Sequence, residues 1–226
     1  NPNLTPTAQG RIIMPKHSFD HVTDWVFDMD HTLYPANNQL FRQIEVLMSD
    51  YTHRATGLPR AMADELRHKY WNDYGASVTG LVEHHGIDAH DFLHHVHQVD
   101  FSVLTPDPHL KTEISKLRGR KVVFTNGPKA YASQVLRALD LDDAFDHVCG
   151  FEDAGMIPKP QARAYDTVFR SLGIAPSRAV MFEDSHENLK VPHDLGMKTV
   201  LIHANNDGPH VHHQSDCLVS FLRQIG

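Results

Sequence analysis

What this 226-residue chain lacks narrows its identity before any motif is read. It has only two cysteines, Cys149 and Cys217, far apart and outside any CxxC spacing. That excludes a disulfide framework and makes a reducing, cytoplasmic setting the expectation. No stretch approaches the ~20 apolar residues of a membrane span, and the opening residues hold no apolar run of signal-peptide length. The formal net charge is −7 and no dense Lys/Arg stripe occurs. This argues against a nucleic-acid polymer or an anionic membrane as partner and points to a small molecule; oligomeric state is not legible. If the ligand is an anion, its positive partner must be local: a metal ion or one well-placed lysine. Neither glycine pattern of a P-loop or dinucleotide site is present, and no HExxH or Cys/His zinc spacing occurs. Gly75-x-Ser77 is no nucleophile elbow either, because Thr79 stands where the second glycine belongs.

What is present is a chain with 41% hydrophobic residues, enough for a substantial core. Trp25-Val-Phe27, Lys121-Val-Val-Phe124, Ala179-Val-Met-Phe182 and Thr199-Val-Leu-Ile202 are short apolar runs that stop at polar or acidic residues. Such runs suit strands buried on both faces of a parallel sheet. Helical stripes separate them: Leu110, Ile114, Leu117; Tyr131, Val135, Leu136, Leu139; and Tyr165, Val168, Phe169, Leu172 with Gly173 as a stop. Strand alternating with helix gives an α/β fold, a doubly wound, mostly parallel sheet with a Rossmann-like core. Residues 38–103 break the alternation. Leu40, Ile44, Leu47, Met48 and Tyr51 form one stripe, closed by Gly57 and Pro59. Met62, Leu66 and Tyr70 form a second, ending near Gly75. Asp88 reads as an N-cap before Phe92, Leu93, Val96 and Val99. The expected organisation is an N-terminal extension over 1–20, an α/β core over 21–37 and 104–226, and an all-helical cap over 38–103. The polar stretch 205–213 is expected to be loop.

In open α/β sheets, ligands bind beyond the carboxyl ends of the strands. Asp28, Asp30 and Thr32 follow the first strand, and Thr125, Asn126 and Gly127 follow the second. Lys159 sits at an expected helix start, and Glu183 and Asp184 follow a later strand. Taken singly, each has an ordinary use as a turn residue, cap or solvated surface group. Their order along the chain is the signal, because it brings several carboxylates, a hydroxyl and a lysine to one rim. Clustered carboxylates repel unless a cation sits among them, and hard oxygen donors suit Mg²⁺. With phosphate charge neutralised, Asp28 can attack phosphorus as a nucleophile while Asp30 serves as acid and base. Thr125 and the Asn126 N–H can bind phosphoryl oxygens beside Lys159.

The set Asp28-Met-Asp30-His-Thr32, Thr125-Asn-Gly127, Lys159-Pro and Glu183-Asp184 resembles the four motifs of the haloacid-dehalogenase-like hydrolases, across Trp25 to His203. More narrowly, Asp28-x-Asp-x-Thr-Leu-Tyr-Pro35 is similar to the pyrimidine 5′-nucleotidase branch. So are Tyr74-Gly75, Gly80-Leu81, His85-Gly-Ile-Asp88 and Phe182-Glu-Asp-Ser-x-x-Asn-Leu189. The resemblance implies a Mg²⁺-dependent phosphatase acting on phosphomonoesters, with nucleoside 5′-monophosphates first and pyrimidines foremost. It implies Asp28 as nucleophile and metal ligand, and Asp30 as acid/base with its backbone carbonyl on the metal. Asp184 would be a direct ligand and Glu183 one acting through water, with Thr125 and Lys159 on the phosphate. A broad small-metabolite phosphatase, a sugar phosphomutase and a catalytically idle binding protein are the rivals. A haloacid dehalogenase would need neither Asp30 nor Glu183-Asp184.

Two departures stand out. His31 occupies a position where the branch often carries Asn, and Pro192 falls inside an expected helix, at a cost of about 3 kcal/mol. Tyr34 and Tyr74 are candidate substrate contacts, with Tyr70 and Phe101 as further aromatics able to stack on a base. Nineteen histidines are scattered along the chain, including His210, His212 and His213. Their ordinary reading is solvated surface, with adventitious metal binding by the tail as the alternative.

Overall fold

A computed structural model describes residues 18–36, 39–203, 205 and 208–226. Its sheet has six parallel strands: β1 (Asp24–Phe27), β2 (Arg120–Phe124), β3 (His147–Cys149), β4 (Ala179–Glu183), β5 (Lys198–Ile202) and β6 (His213–Ser215), in the order β3-β2-β1-β4-β5-β6. The α/β architecture read from the sequence is therefore present, and the order reverses at β1, which pairs with both β2 and β4. Alternate strand residues feed opposite faces. Phe27, Val123, Phe182 and Val200 belong to one buried cluster, and Val26, Val122, Met181 and Leu201 to another. Phe27 and Phe182 stack with centroids 4.6 Å apart. Each such side chain contributes roughly 1.5–3 kcal/mol on burial, so Phe182→Ala would cost about 3–5 kcal/mol.

Four helices lie between β1 and β2: α1 (Leu40–Thr56), α2 (Arg60–Tyr74), α3 (Ser77–His85) and α4 (Ala89–Val96). Leu40 and Ile44 of α1 join the sheet-side core, while Leu47, Met48 and Tyr51 pack on a separate cluster built from Tyr70, Leu81, Phe92 and Val96. Phe151, from the loop after β3, enters that cluster too. Gly57 and Gly75 end α1 and α2 in left-handed conformations, and the Asp88 carboxylate accepts from the His90 and Asp91 N–H groups to cap α4. Met62 departs from its expected place in a buried stripe: it is 52% exposed. The inner face of α2 instead carries Ala63, Tyr70 and Arg67, whose Nε donates to Asp64 and Ser49. Polarity hid that face from a hydrophobic pattern.

The remaining helices, α5 (Pro108–Lys116), α6 (Lys129–Ala138), α7 (Ala162–Leu172), α8 (Lys190–Asp194) and α9 (Leu218–Ile225), cover the two sheet faces. Pro192 lies in the first turn of α8, where its missing N–H is no loss. The Asn188 carbonyl four residues earlier accepts from the Tyr165 hydroxyl instead, at 2.7 Å. The expected penalty is thereby avoided. Residues 213–215, partly inside the stretch expected to be loop, form β6. His213 packs its ring on Phe19 and Phe221, and His212 Nδ1 meets the Thr199 hydroxyl at 2.7 Å, so these two are structural histidines. Of the expected extension, residues 1–17 lie outside the described residues, while Phe19 is buried against Trp25. Among the described residues no helix is long and apolar enough to cross a membrane.

Candidate active site

The carboxyl edge of the sheet opens into a cleft of about 1020 Å³, walled on the far side by the end of α2. Asp28 leaves β1 there, Thr125 leaves β2, Glu183 ends β4 and Asp184 follows it. Lys159 reaches across from the loop before α7. Its ammonium, 1% exposed, donates to Asp28 Oδ1 at 2.7 Å, Glu183 Oε1 at 2.6 Å and the Phe124 carbonyl at 3.0 Å. All three protons are used, and the lysine is fixed between the ends of β1, β2 and β4. The Thr32 hydroxyl donates to the other Asp28 oxygen at 3.2 Å, and the Asp28 N–H continues the ladder to Phe182. Asp28 is thus held in one orientation.

Charge at this edge is unbalanced. Asp28, Glu183 and Asp184 present oxygens within 4.8 Å of one another, against the single ammonium of Lys159. Burial, followed by repulsion from Glu183, pushes Asp28 up to about 7, despite the lowering effect of Lys159. Burial likewise raises Glu183. Burial opposes a charged Lys159, yet Asp28 and Glu183 outweigh it and hold the ammonium above its ordinary range. Three hard oxygen donors with uncompensated negative charge fit a divalent cation of the Mg²⁺ type. Asp28 and Asp184 are the residues placed to hold one. Glu183, expected to act there through water, is fully buried. Its oxygens accept from Lys159, the Asn188 amide and the Ser185 N–H.

Asp30 is held by tyrosines rather than by Lys159. Its Oδ1 accepts from the Tyr131 hydroxyl at 2.8 Å and from the Tyr34 hydroxyl at close range. Burial raises its carboxyl, with the two phenols working in the opposite direction. Tyr34, expected among substrate contacts, is buried and spends its hydroxyl on Asp30. Tyr70 is buried as well, and Phe101 packs on Tyr131. Tyr74 does line the cleft, with its hydroxyl 2.6 Å from His84 Nε2. In the sequence Tyr131 reads only as part of a helical core stripe, since nothing local links it to a carboxylate 101 residues away.

Asn126 faces the lysine rather than the cleft alone. Its amide oxygen accepts from the Lys159 N–H at 2.8 Å, and its NH₂ donates to the Lys159 carbonyl at 3.0 Å, clamping that backbone. Thr125, buried, turns its hydroxyl to accept from the Gly127 N–H at 3.0 Å. Gly75 has φ +83°, and a Cβ there would lie 3.0 Å from the Lys159 carbonyl. Absence of a side chain lets α2 end directly on the lysine loop, where Gln161 also donates to the Tyr74 carbonyl at 3.1 Å. His31 has φ +64°, a region in which Asn and His are both over-represented. Its Nδ1 lies 3.7 Å from the Asp184 carboxylate, and that ion-pair contact is the main cause of a raised imidazole pKa.

A family model described as haloacid dehalogenase-like hydrolase matches residues 25–196. Among curated proteins, the chain is 26% identical over 193 residues to "Phosphate metabolism protein 8" of Saccharomyces cerevisiae, covering 77% of this chain and 60% of that one. It therefore spans less than two thirds of the yeast protein. It is 25% identical over 169 residues to "Phosphorylated carbohydrates phosphatase" of Thermotoga maritima, covering 66% of this chain and 78% of that one. Among solved structures, a HAD phosphatase from Thermococcus onnurineus superposes with TM-score 0.63 at 20% identity, covering 90% of this chain and 97% of that one. This last likeness is one of fold.

Proposed function

We propose, for a chain that belongs to the haloacid dehalogenase-like hydrolases, that its reaction is hydrolysis of phosphate monoesters through an aspartyl-phosphate on Asp28. The observation that carries the reading is the buried Asp28 carboxylate, fixed by Lys159 and Thr32 inside the cleft beside Asp184. The phosphatase names of relatives support it. In the first step an Asp28 oxygen bonds to phosphorus as the ester P–O bond breaks, and Asp30 gives its proton to the departing alkoxide. In the second, Asp30 takes a proton from water. That water's oxygen bonds to phosphorus, the acyl-phosphate P–O bond breaks, and inorganic phosphate leaves with the Asp28 carboxylate restored. Asp28, Asp184 and the Asp30 backbone carbonyl would hold Mg²⁺, whose charge offsets that of the phosphoryl oxygens. Glu183 sits behind them as the partner of Lys159. Thr125 and the Asn126 N–H would receive the phosphoryl oxygens, with Lys159 supplying positive charge beside them. Tyr34 and Tyr131 hold the Asp30 carboxyl, whose raised pKa keeps a proton available to the leaving group.

Helices α1–α4 act as a cap that bounds the cleft and meets the leaving group. The substrate class we assign first is nucleoside 5′-monophosphate, pyrimidines foremost, on the motif resemblance. A broader sugar-phosphate range is the second reading, favoured by the name of the Thermotoga relative. The test is phosphate release from UMP, CMP, AMP, pyridoxal phosphate and sugar phosphates, with and without Mg²⁺. Release that requires Mg²⁺ and peaks at pyrimidine monophosphates is the expected result. Flat release removes the nucleotide assignment, and none from any substrate removes the phosphatase.

A further inference from the structure

Two features of the cleft lie outside the reacting centre. The first is Trp71, on the last turn of α2. It is 58% exposed and lines the cleft, whereas the only other tryptophan, Trp25, is buried. An indole left this open is unusual for a side chain with so much apolar surface to bury, and its flat face suits a flat partner. The second is charge. Asp73 and Glu187 line the outer part of the cleft, each ion-paired to a lysine, Lys69 and Lys190, while Asp28, Asp30 and Asp184 lie within it, and among the described residues Lys159 is the one lysine or arginine in the wall. That lysine is already shared between Asp28 and Glu183. A divalent cation at Asp28 and Asp184 would offset the reacting phosphate. His31 is committed to Asp184, and Lys69 and Lys190 to Asp73 and Glu187, so among the described residues no unpaired lysine or arginine lines the cleft for a second anion further out.

From these we propose that the cleft selects phosphate monoesters whose leaving group carries a flat, uncharged ring, seated on Trp71, and discriminates against leaving groups bearing a second anionic group. The proposal rests on the phosphatase reading and narrows it: a nucleoside monophosphate fits, and a sugar bisphosphate does not.

Steady-state kinetics with UMP, ribose 5-phosphate and ribose 1,5-bisphosphate compare three substrates that share a ribose 5-phosphate unit. The expected order of kcat/KM is UMP above ribose 5-phosphate by roughly tenfold, from ring stacking, with the bisphosphate lowest. Trp71→Ala should collapse the UMP preference through KM, and Trp71→Phe should restore most of it. Equal kcat/KM for UMP and ribose 5-phosphate, or an undiminished preference in Trp71→Ala, would overturn the assignment of Trp71. A bisphosphate handled as well as the monophosphate would overturn the charge argument.

Binding separates this proposal from the reaction on which it rests. In Asp28→Asn with Mg²⁺ present, UMP should quench tryptophan fluorescence, while ribose 5-phosphate and inorganic phosphate should not, and Trp71→Phe should abolish the quench. That result would uphold the ring platform even if no substrate were turned over. Equal quenching by all three, or none by UMP, would sink it even in an active phosphatase.

Discussion

The two edges of the sheet handle buried charge in opposite ways. At the amino edge, Asp24 of β1 stands in register with Arg120 of β2. Arg120 Nη2 meets the Asp24 carboxylate at 2.5 Å, its Nη1 donates to the Leu172 carbonyl, and the Thr23 hydroxyl donates to the remaining Asp24 oxygen. One positive charge answers one negative charge, and the pair ties strands together. At the carboxyl edge, one ammonium answers Asp28 and Glu183 directly, with Asp184 alongside. A buried pair needs good geometry merely to offset desolvation, and an excess of like charge does not offset it. The amino edge is built for stability; the carboxyl edge gives up stability, and on the proposed reading it does so to keep a carboxylate ready for a cation and a phosphate.

The sharpest way to break this comparison is to neutralise one carboxylate at each edge. Asp28→Asn should cut turnover by about a thousandfold or more, since the nucleophile is lost. Without metal at pH 8 it should also raise the melting temperature, reflecting roughly 1–3 kcal/mol of relieved repulsion and desolvation. A variant both inactive and less stable would contradict the second half. Lys159→Ala removes the ammonium that Asp28 and Glu183 share and should destabilise by about 3–5 kcal/mol in a denaturant melt. Asp24→Asn should lower stability by roughly 1–3 kcal/mol while kcat/KM stays within about twofold. Loss of activity there would mean that the two edges are not separate.

Tyr131→Phe sharpens the carboxyl edge itself. If its phenol positions Asp30 as leaving-group acid, kcat should drop about tenfold for alkyl phosphates and much less for p-nitrophenyl phosphate, whose leaving group needs no proton. Equal losses on both would assign Tyr131 a structural role alone.

The smallest expected effect is a pH dependence. Asp28 in the folded protein titrates near 7, above the ~3.9 of an unfolded aspartate. The folded state therefore binds that proton more tightly. Its contribution to stability is complete below about pH 4 and is lost as pH rises through about 7. Cation binding requires the ionised carboxylate, so added Mg²⁺ should raise the melting temperature more at pH 8 than at pH 5. An equal shift at both values would remove the link between Asp28 and the cation.

Much of this was legible in the chain because its informative residues stand at strand ends. β1, β2, β4 and β5 are apolar on both faces, and a run such as Ala179-Val-Met-Phe182 has few other uses. β3 and β6 escaped notice for the converse reason: they are three-residue edge strands, and His213-Gln-Ser215 is polar. Helix α3 is hard to read in Ser77-Val-Thr-Gly80, a poor helix-forming sequence stabilised by packing of its Val78 and Leu81 with Tyr70 of α2. The convergence of Asp28, Lys159, Glu183 and Asp184 follows from strand order, which alternation of strand and helix predicts. The pairing of Asp30 with Tyr131 does not, nor does the burial of Tyr34 or the exposure of Trp71. Those depend on how α1, α2 and α6 pack, and their side chains carry no local signal of it.

The central claim is that Asp28 becomes phosphorylated during turnover. Acid quenching a reaction with UMP and Mg²⁺, followed by peptide mass spectrometry, tests it directly. The account predicts the mass of one phosphoryl group on the peptide bearing Asp28, convertible to homoserine by borohydride at that position and absent in Asp28→Asn. Turnover with the phosphoryl group on another residue, or retained by Asp28→Asn, would contradict it.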